Sequence, residues 1–318
     1  MKRMAMGLIL ILLAALCLPA SAQDFALSRD DLPPVAPIQS GSTIERVEYE
    51  TFAYSRNGTP GKAGTNEAYV YLPAGYDPTS AYDILYLMHG GGEHAGYWLA
   101  QGEYAQGGSR DISDTSITKD LLDSLIKTGV IDPIIVVTPC IEADVKRRGM
   151  NDEGLFRHEF KKDLMPFIES RYATYARGDV SPEGLIASRA HRAFAGLSLG
   201  SAAGWSSILY DCTDVVGYVG TFSGCYANMY AVAESLNTAY RDYPILYWYN
   251  GNGTNDASLK EHQRAYDYVL KTCGGKLQES AADTPGNCCF VTKPGMGHNY
   301  DSWITDLYNA LRVFFPAE

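Results

Sequence analysis

Residues 192–200 read RAFAGLSLG, an apolar run that leads directly into a G-x-S-x-G motif centred on Ser198. The run predicts a short buried strand, and the residues that follow, 201–209, can continue as a helix. A serine between strand and helix occupies a sharp, strained turn, where the small Gly196 and Gly200 avoid a clash with neighbouring backbone. This context predicts that Ser198 is a catalytic nucleophile rather than part of a turn that merely joins two elements.

Strands and helices alternate along the rest of the chain. Residues 44–55 and 67–72 alternate apolar and polar side chains, which predicts two antiparallel strands, whereas 83–88 is a continuous apolar run typical of a central parallel strand. The alternation predicts an α/β fold with a doubly wound, mostly parallel sheet and antiparallel N-terminal strands. Later strands are expected at 134–138, 192–198, 216–222, 245–249 and 289–293, and helices at 119–127, 159–172, 201–209, 230–239, 258–271 and 301–315.

The start of the chain carries an export signal. Two basic residues precede an apolar run at 7–18, and an A-x-A site ends at Ala22. This pattern predicts a signal peptide over residues 1–22, cleaved near Ala22, and a secreted protein with no membrane segment after cleavage. Residues 23–42 are Pro-rich and polar, which is typical of a tether, and residues 43–318 are expected to form a single domain.

The composition of the chain indicates which classes of partner or substrate it can bind. The chain of 318 residues has a net charge of −11, which argues against nucleic acid or an anionic membrane surface and favours neutral substrates. Its 23 tyrosines offer aromatic faces that can pack against sugar rings and phenolic acids.

A serine nucleophile needs a histidine base and an acid that orients it, in the chain order Ser, Asp or Glu, His. His298 lies in a Gly-rich loop before the last expected helix, so it is the expected base among six histidines. Asp256 lies in a turn-rich loop directly after an apolar strand, so it is the expected acid. The other histidines have structural explanations: His89 orients a glycine loop, His94 is on a loop surface, His158 and His262 lie in charged helical stretches, and His191 precedes the nucleophile strand.

The oxyanion formed by serine attack needs backbone N–H donors that already point at it. Leu199, which follows the nucleophile, is expected to supply one of them. The second is expected from the loop at 89–92 (HGGG), because glycines after a strand allow the backbone to approach the substrate closely. Gly91 is the preferred donor, with Gly92 as the alternative.

Cysteines in an exported protein favour disulfide bonds. Of the seven in the chain, Cys17 lies in the expected leader, and Cys140 is expected to be free. The candidate bridges are Cys212 with Cys225, which would brace the floor of the site, and Cys273 with Cys288 or Cys289. No C-x-x-C with partner histidines occurs, so no metal site and no cofactor is expected.

Four motifs together resemble the esterase D / carbohydrate esterase family one group, which includes feruloyl and acetylxylan esterases. They are residues 85–92 (LYLMHGGG) with Trp98 soon after, 196–201 (GLSLGS), 253–256 (GTND) and 297–303 (GHNYDSW), in the order found in that family. The resemblance implies an α/β-hydrolase fold. It also implies metal-free hydrolysis, through an acyl-enzyme, of an ester that joins a feruloyl or acetyl group to a plant cell-wall polysaccharide such as xylan.

The same resemblance assigns roles to residues. It makes Ser198 the nucleophile, His298 the general base and acid, and Asp256 the partner that orients His298. Cys212 and Cys225 also resemble a cysteine pair found in some feruloyl esterases of the group.

Aromatic residues near the catalytic motifs are candidates for substrate binding. Trp98, Tyr226 and Trp303 could each stack on an aromatic acid or a sugar, whereas Trp205, on the helix behind the nucleophile, is expected in the core. Tyr226 stands where some feruloyl esterases carry tryptophan.

Two other classes of protein share these features. One is an acyltransferase like the mycolyl transferases, which would pass the acyl group to a sugar instead of water. The other is a non-catalytic carbohydrate-binding relative, and the intact Ser198, Asp256 and His298 set argues against it.

Overall fold

A sheet of eight strands organises the part of the chain that the computed structural model describes, residues 25–34, 40–99, 116–141, 152–225, 227–280 and 285–315. The strand order is β1-β2-β4-β3-β5-β6-β7-β8. The first two strands pair antiparallel, β2 pairs antiparallel with β4, and every later neighbour is parallel. The strands are β1 (Thr43–Tyr54), β2 (Pro60–Leu72), β3 (Asp83–Met88), β4 (Ile134–Pro139), β5 (Arg192–Leu197), β6 (Tyr218–Phe222), β7 (Tyr247–Gly253) and β8 (Cys288–Lys293).

Helices cover both faces of this sheet. Two of them, α1 and α8, pack into one core cluster, and the rest pack into the other. The helices are α1 (Ile117–Lys127), α2 (Phe156–Glu159), α3 (Met165–Glu169), α4 (Pro182–Ala187), α5 (Leu199–Ala203), α6 (Met229–Asn237), α7 (Leu259–Thr272) and α8 (Tyr300–Leu311). π-helical turns at Phe160–Leu164 and Gly204–Leu209 continue α2 and α5. The predicted doubly wound, mostly parallel sheet with antiparallel N-terminal strands is confirmed.

Burial on both faces explains why the central strands read as apolar runs. Every residue of β5 is buried. Phe194 faces one core cluster, whereas Ala193 and Ala195 face the other, as the alternation of side chains along a strand requires. A strand that is buried on both faces has no polar face, so its sequence shows no alternation of apolar and polar residues.

Several elements differ from the sequence-based expectation, among them strand β2, which begins at Pro60 instead of residue 67. Helix α4 was not expected, although Ser181 caps it by accepting a hydrogen bond from the Gly184 amide and Pro182 begins it. Strand β7 runs to Gly253 instead of ending at residue 249. Its polar and glycine residues form a strand because they pair in register with β8, from Asn250 with Phe290 to Gly253 with Lys293.

The first described residues of the Pro-rich N-terminal segment, 25–29, are docked against β7 and α8. The Phe25 ring packs edge-on against Tyr249 at 5.7 Å, and the Ala26 amide and carbonyl each form a 2.9 Å hydrogen bond with the Asn309 side chain. Arg29 forms a 2.7 Å ion pair with Asp301. These contacts fix residues 25–29 to the domain. The expected signal peptide, residues 1–22, lies outside the described residues.

The expected disulfides are not formed in the structure. All six described cysteines are free, buried thiols, and several of them contact groups other than a second sulfur. Cys273 Sγ lies 3.4 Å from the Asn237 amide nitrogen, and Cys288 Sγ lies 3.5 Å from the Tyr266 hydroxyl. Cys225 Sγ contacts the Ala227 carbonyl, and Cys273 Sγ also contacts the Ala233 carbonyl. Expectations of bridges at Cys212, Cys225, Cys273, Cys288 and Cys289 are therefore corrected.

Within the described ranges, none of the helices has the length and apolar character needed to cross a membrane.

Candidate active site

Ser198 forms the turn between β5 and α5 with backbone angles of φ 50° and ψ −109°. Such angles are strained for a residue with a side chain. A methyl group on Gly196 would lie 2.5 Å from the Gly200 carbonyl carbon, and one on Gly200 would lie 2.5 Å from the His89 carbonyl oxygen. Both glycines are therefore required for this turn to sit against the end of β3. The turn holds the Ser198 side chain at the carboxyl end of the sheet, half-buried.

The structure brings the three expected triad residues together. His298 Nε2 lies 3.0 Å from Ser198 Oγ, and His298 Nδ1 lies 2.9 Å from Asp256 Oδ2. These distances are hydrogen-bond distances, and the order of contacts is the one that a serine nucleophile, its base and an orienting acid require. Each residue follows a different parallel strand, β5, β7 or β8, so that all three emerge at one edge of the sheet.

The environment of Asp256 keeps its carboxyl group ionised. Burial alone would raise its pKa, but hydrogen bonds from His298 and from the amide and hydroxyl of Ser258 outweigh burial and hold that pKa below its ordinary value. The Ser258 amide and hydroxyl contact Asp256 Oδ1 at 2.9 and 2.7 Å, which leaves Oδ2 for His298. A fixed negative charge beside Nδ1 is placed to stabilise an imidazolium at His298.

A buried histidine lies behind Asp256. His262 lies in a charged helical stretch, as expected, but it is fully buried on the inner face of α7. Its Nδ1 lies 2.6 Å from Asn252 Oδ1, and Asn252 Nδ2 donates to Ser258 Oγ at 3.3 Å. His262 thus supports the loop that carries Asp256. The 262, 265, 266, 269 spacing of the buried positions of α7 is the signal that could have found it.

The two residues expected to supply the oxyanion donors, Leu199 and Gly91, lie on neighbouring segments. A methyl group on the Gly91 Cα would lie 3.9 Å from the Leu199 Cβ, so the HGGG loop and the start of α5 are in contact. No described residue accepts a hydrogen bond from the Leu199 or Gly91 amide. The amide of Gly90, in contrast, donates to Glu93 Oε2 at 2.6 Å. Leu199 and Gly91 are therefore the pair of donors that the structure leaves available.

The aromatic candidates for substrate binding are only partly supported. Trp98 is fully buried and donates to the Met88 carbonyl at 3.1 Å, so it cannot line an accessible pocket, and that expectation is corrected. Trp303 is 6% exposed and packs edge-on against the His298 ring, which makes it a support for the base. Tyr226 lies outside the described residues. Trp205 lies in the core against Trp248.

Among the residues that the structure describes, no group of three His, Cys, Asp or Glu side chains is placed to hold a metal ion.

The fold and the site together define the α/β-hydrolase class. This class has a strained serine turn, a histidine after the last strand and an acid after the preceding strand, on a mostly parallel sheet. Chemistry at such a site is acyl transfer, in which the serine hydroxyl attacks an activated carbonyl.

Comparison with known proteins gives the family. The family model described as "Putative esterase" matches residues 64–314, and the chain belongs to this esterase family. The chain is 32% identical over 261 residues to endo-1,4-beta-xylanase Y of Acetivibrio thermocellus, covering 79% of this chain and 22% of that one. It is 29% identical over 218 residues to an endo-1,4-beta-xylanase/feruloyl esterase of Xylanibacter ruminicola, covering 65% of this chain and 24% of that one.

A solved structure agrees with these sequence relatives. A feruloyl esterase module from Clostridium thermocellum, complexed with sinapinate, superposes with a TM-score of 0.73 at 27% identity, covering 92% of this chain and 95% of that one. Together the matches agree with carbohydrate esterase family one, the group that the sequence motifs resemble. The chain spans less than a quarter of the length of the two xylanases.

Proposed function

We propose that this protein is a secreted serine carboxylic ester hydrolase that removes feruloyl or acetyl groups from a plant cell-wall polysaccharide such as xylan. One observation carries the proposal, the continuous chain of hydrogen bonds from Ser198 Oγ through His298 to Asp256, with lengths of 3.0 and 2.9 Å. A buried ionised acid, a base and a nucleophile in this arrangement activate the serine for attack on an ester.

The reaction follows from this geometry in two halves. Ser198 Oγ attacks the ester carbonyl while His298 Nε2 takes the hydroxyl proton, and the Leu199 and Gly91 amides donate to the oxyanion. The tetrahedral intermediate then expels the sugar alcohol, which receives the proton from His298, and leaves an acyl-enzyme. Water attacks the acyl carbonyl with His298 again as base, and collapse returns the proton to Ser198 Oγ and releases the carboxylic acid.

The substrate class is supported by the relatives and by the charge of the chain. The similar module is a feruloyl esterase complexed with sinapinate, and one curated relative combines a xylanase with a feruloyl esterase. The net charge of −11 disfavours polyanionic substrates and suits a neutral sugar ester. The basic residues, apolar run and A-x-A site at the start of the chain support export, which would bring the enzyme to an extracellular polysaccharide.

A substrate panel tests this function. Methyl ferulate, acetylated xylan and a glutathione thioester, the last as an intracellular-type control, are incubated with the wild-type chain, and acid release is measured by chromatography. We expect turnover of the first or second substrate but not of the thioester. Failure on both cell-wall esters, with turnover of p-nitrophenyl acetate added as a short aryl ester, would overturn the assignment.

Two variants and one added acceptor sharpen the test. Ser198→Ala should abolish turnover, whereas Ser170→Ala, at an exposed serine after α3, should keep it. A xylo-oligosaccharide acceptor in the same assay distinguishes hydrolysis from acyl transfer. Acylated sugar as the main product would favour an acyltransferase instead.

A further inference from the structure

The peptide group between Gly90 and Gly91 is held from its buried side. The Gly90 carbonyl oxygen lies 2.7 Å from His89 Nδ1, and the Gly90 amide donates to Glu93 Oε2 at 2.6 Å. Both polar groups of Gly90 therefore have a side-chain partner. The loop at 89–92 is consequently not a flexible glycine turn at this point.

The contacts of His89 define which of its ring nitrogens carries the proton. The Ile141 amide, which can only donate, contacts His89 Nε2 at 3.2 Å. Nε2 is therefore the acceptor, and Nδ1 carries the proton that is donated to the Gly90 carbonyl. His89 is 1% exposed, and burial lowers the pKa of its imidazole to about 4, so the ring is neutral when the enzyme works near neutral pH.

The geometry of a trans peptide then sets the direction of the next amide. All peptide bonds of the described residues are trans, so the Gly90 carbonyl and the Gly91 N–H point in opposite directions in one plane. His89 holds the carbonyl on the buried side. The Gly91 N–H is thereby directed away from the core, in a residue that is exposed and adjacent to Leu199.

We propose that His89 is a positioning residue that preorganises the Gly91 amide as the second oxyanion donor, with Glu93 holding the other side of Gly90. The inference rests on the proposed function, because it concerns the same serine esterase site. It makes Gly91, and not Gly90, the partner of Leu199. Preorganised donors stabilise a developing oxyanion more than donors that must first rotate into place.

Two substitutions of His89 separate this role from a purely structural one. The amide of asparagine can replace Nδ1 and keep the donation to Gly90, while losing the acceptor for Ile141. The amide of glutamine can replace Nε2 and keep the acceptor for Ile141, while losing the donation to Gly90. Each variant loses one buried hydrogen bond, so a structural role would make the two equally harmful.

The expected result is an unequal loss of kcat. His89→Gln should lower kcat for methyl ferulate about 10- to 100-fold with little change in KM, because one oxyanion donor is worth about 100- to 1,000-fold and is here loosened, not removed. His89→Asn should stay within about threefold of wild type, on the same reasoning. Affinity for a boronic acid that forms a tetrahedral adduct with Ser198 should fall in parallel with kcat. Equal kcat values in both variants would overturn the inference.

A second pair covers the case in which the His89 variants do not fold. Glu93→Gln keeps an acceptor for the Gly90 amide, whereas Glu93→Ala removes it, and Glu93 is only half-buried. Glu93→Ala alone should lower kcat, and wild-type kcat in both Glu93 variants would overturn the inference.

His191→Gln is the control variant, because His191 precedes β5 at the opposite end of that strand from Ser198. A wild-type chain that hydrolyses no ester, or an active Ser198→Ala, would instead remove the proposed function itself.

Discussion

The indole ring of Trp303 stands perpendicular to the imidazole of His298, with the ring centroids 5.1 Å apart. His298 is itself partly exposed, so this edge-on contact and the bond to Asp256 are what orient the base. Trp303 belongs to α8, whereas His298 lies in the loop before that helix. The helix thus supports the loop residue that we propose as the general base.

Removal of that support should impair catalysis more than binding. We expect Trp303→Ala to lower kcat for methyl ferulate about 10- to 100-fold, since small displacements of a catalytic group are that costly. Trp303→Phe retains a ring edge and should keep most of the activity. Steady-state kinetics of the two variants, with unfolding midpoints as the control for stability, provide the measurement. Full activity in Trp303→Ala would show that His298 needs no such contact.

The acid is expected to act through its charge. Asp256→Asn leaves the hydrogen-bonding shape nearly intact but removes the negative charge, and it should lower kcat by about 10,000-fold, the effect known for an orienting aspartate of a serine triad. Asp301→Asn, at the start of α8 outside the triad, is the matched control and should keep its kcat. Similar kcat values for the two variants would contradict the role of Asp256.

The serine turn should tolerate no side chain at Gly200. A methyl group there would lie 2.5 Å from the His89 carbonyl oxygen and 2.7 Å from that of Met88. Gly200→Ala is expected to destabilise the protein by about 3 kcal/mol, the upper range for overpacking in a core. Gly275→Ala, with no atom within 4 Å of its added methyl group, is the control for urea denaturation. Equal midpoints in the two variants would argue against a close contact of α5 with β3.

Stability should decrease as the pH falls from 7 to 5. Burial lowers the pKa of His262 to about 3 and that of His89 to about 4, whereas an unfolded histidine titrates near pH 6.5. Below pH 6.5 the unfolded chain binds protons that the folded chain does not, so each histidine removes about 2 kcal/mol between pH 7 and pH 5. The loss continues until the pH passes the folded pKa.

His262→Asn isolates one of these contributions. The variant should be less stable than wild type at pH 7, because the asparagine cannot keep every contact of the ring, but its free energy of unfolding should fall less steeply towards pH 5. Urea titrations at several pH values compare the two slopes. Parallel slopes would mean that the pKa of His262 is the same in the folded and the unfolded protein.

Short-range patterns were enough to predict most of this fold. The apolar runs of β3 and β5 and the glycines around Ser198 are local features, and the structure has a strand and a turn at those places. The positions of Asp256 and His298 followed from the chemical order of a triad and from the loops that follow strands. Their roles in catalysis remain proposals that the variants above test.

Features that depend on distant partners could not be predicted. The end of β7 is set by pairing with β8, which lies more than thirty residues later, as Asn250 opposite Phe290 shows. The burial of Trp98 depends on a carbonyl of β3 that accepts its N–H, and nearness in sequence to the HGGG loop does not indicate that direction. The expected disulfides failed for the same reason, because whether two cysteines meet is decided by tertiary packing.

The strand order also bears on how the enzyme becomes active during folding. Ser198 follows β5, and its partners follow β7 and β8, with β6 between β5 and β7. His298 is 100 residues from Ser198 and 42 from Asp256, so no local segment contains a working part of the site. Pairing of such distant strands is slow compared with formation of local helix. During refolding, ester hydrolysis should therefore return after the helical signal, and an activity assay reports the completed sheet.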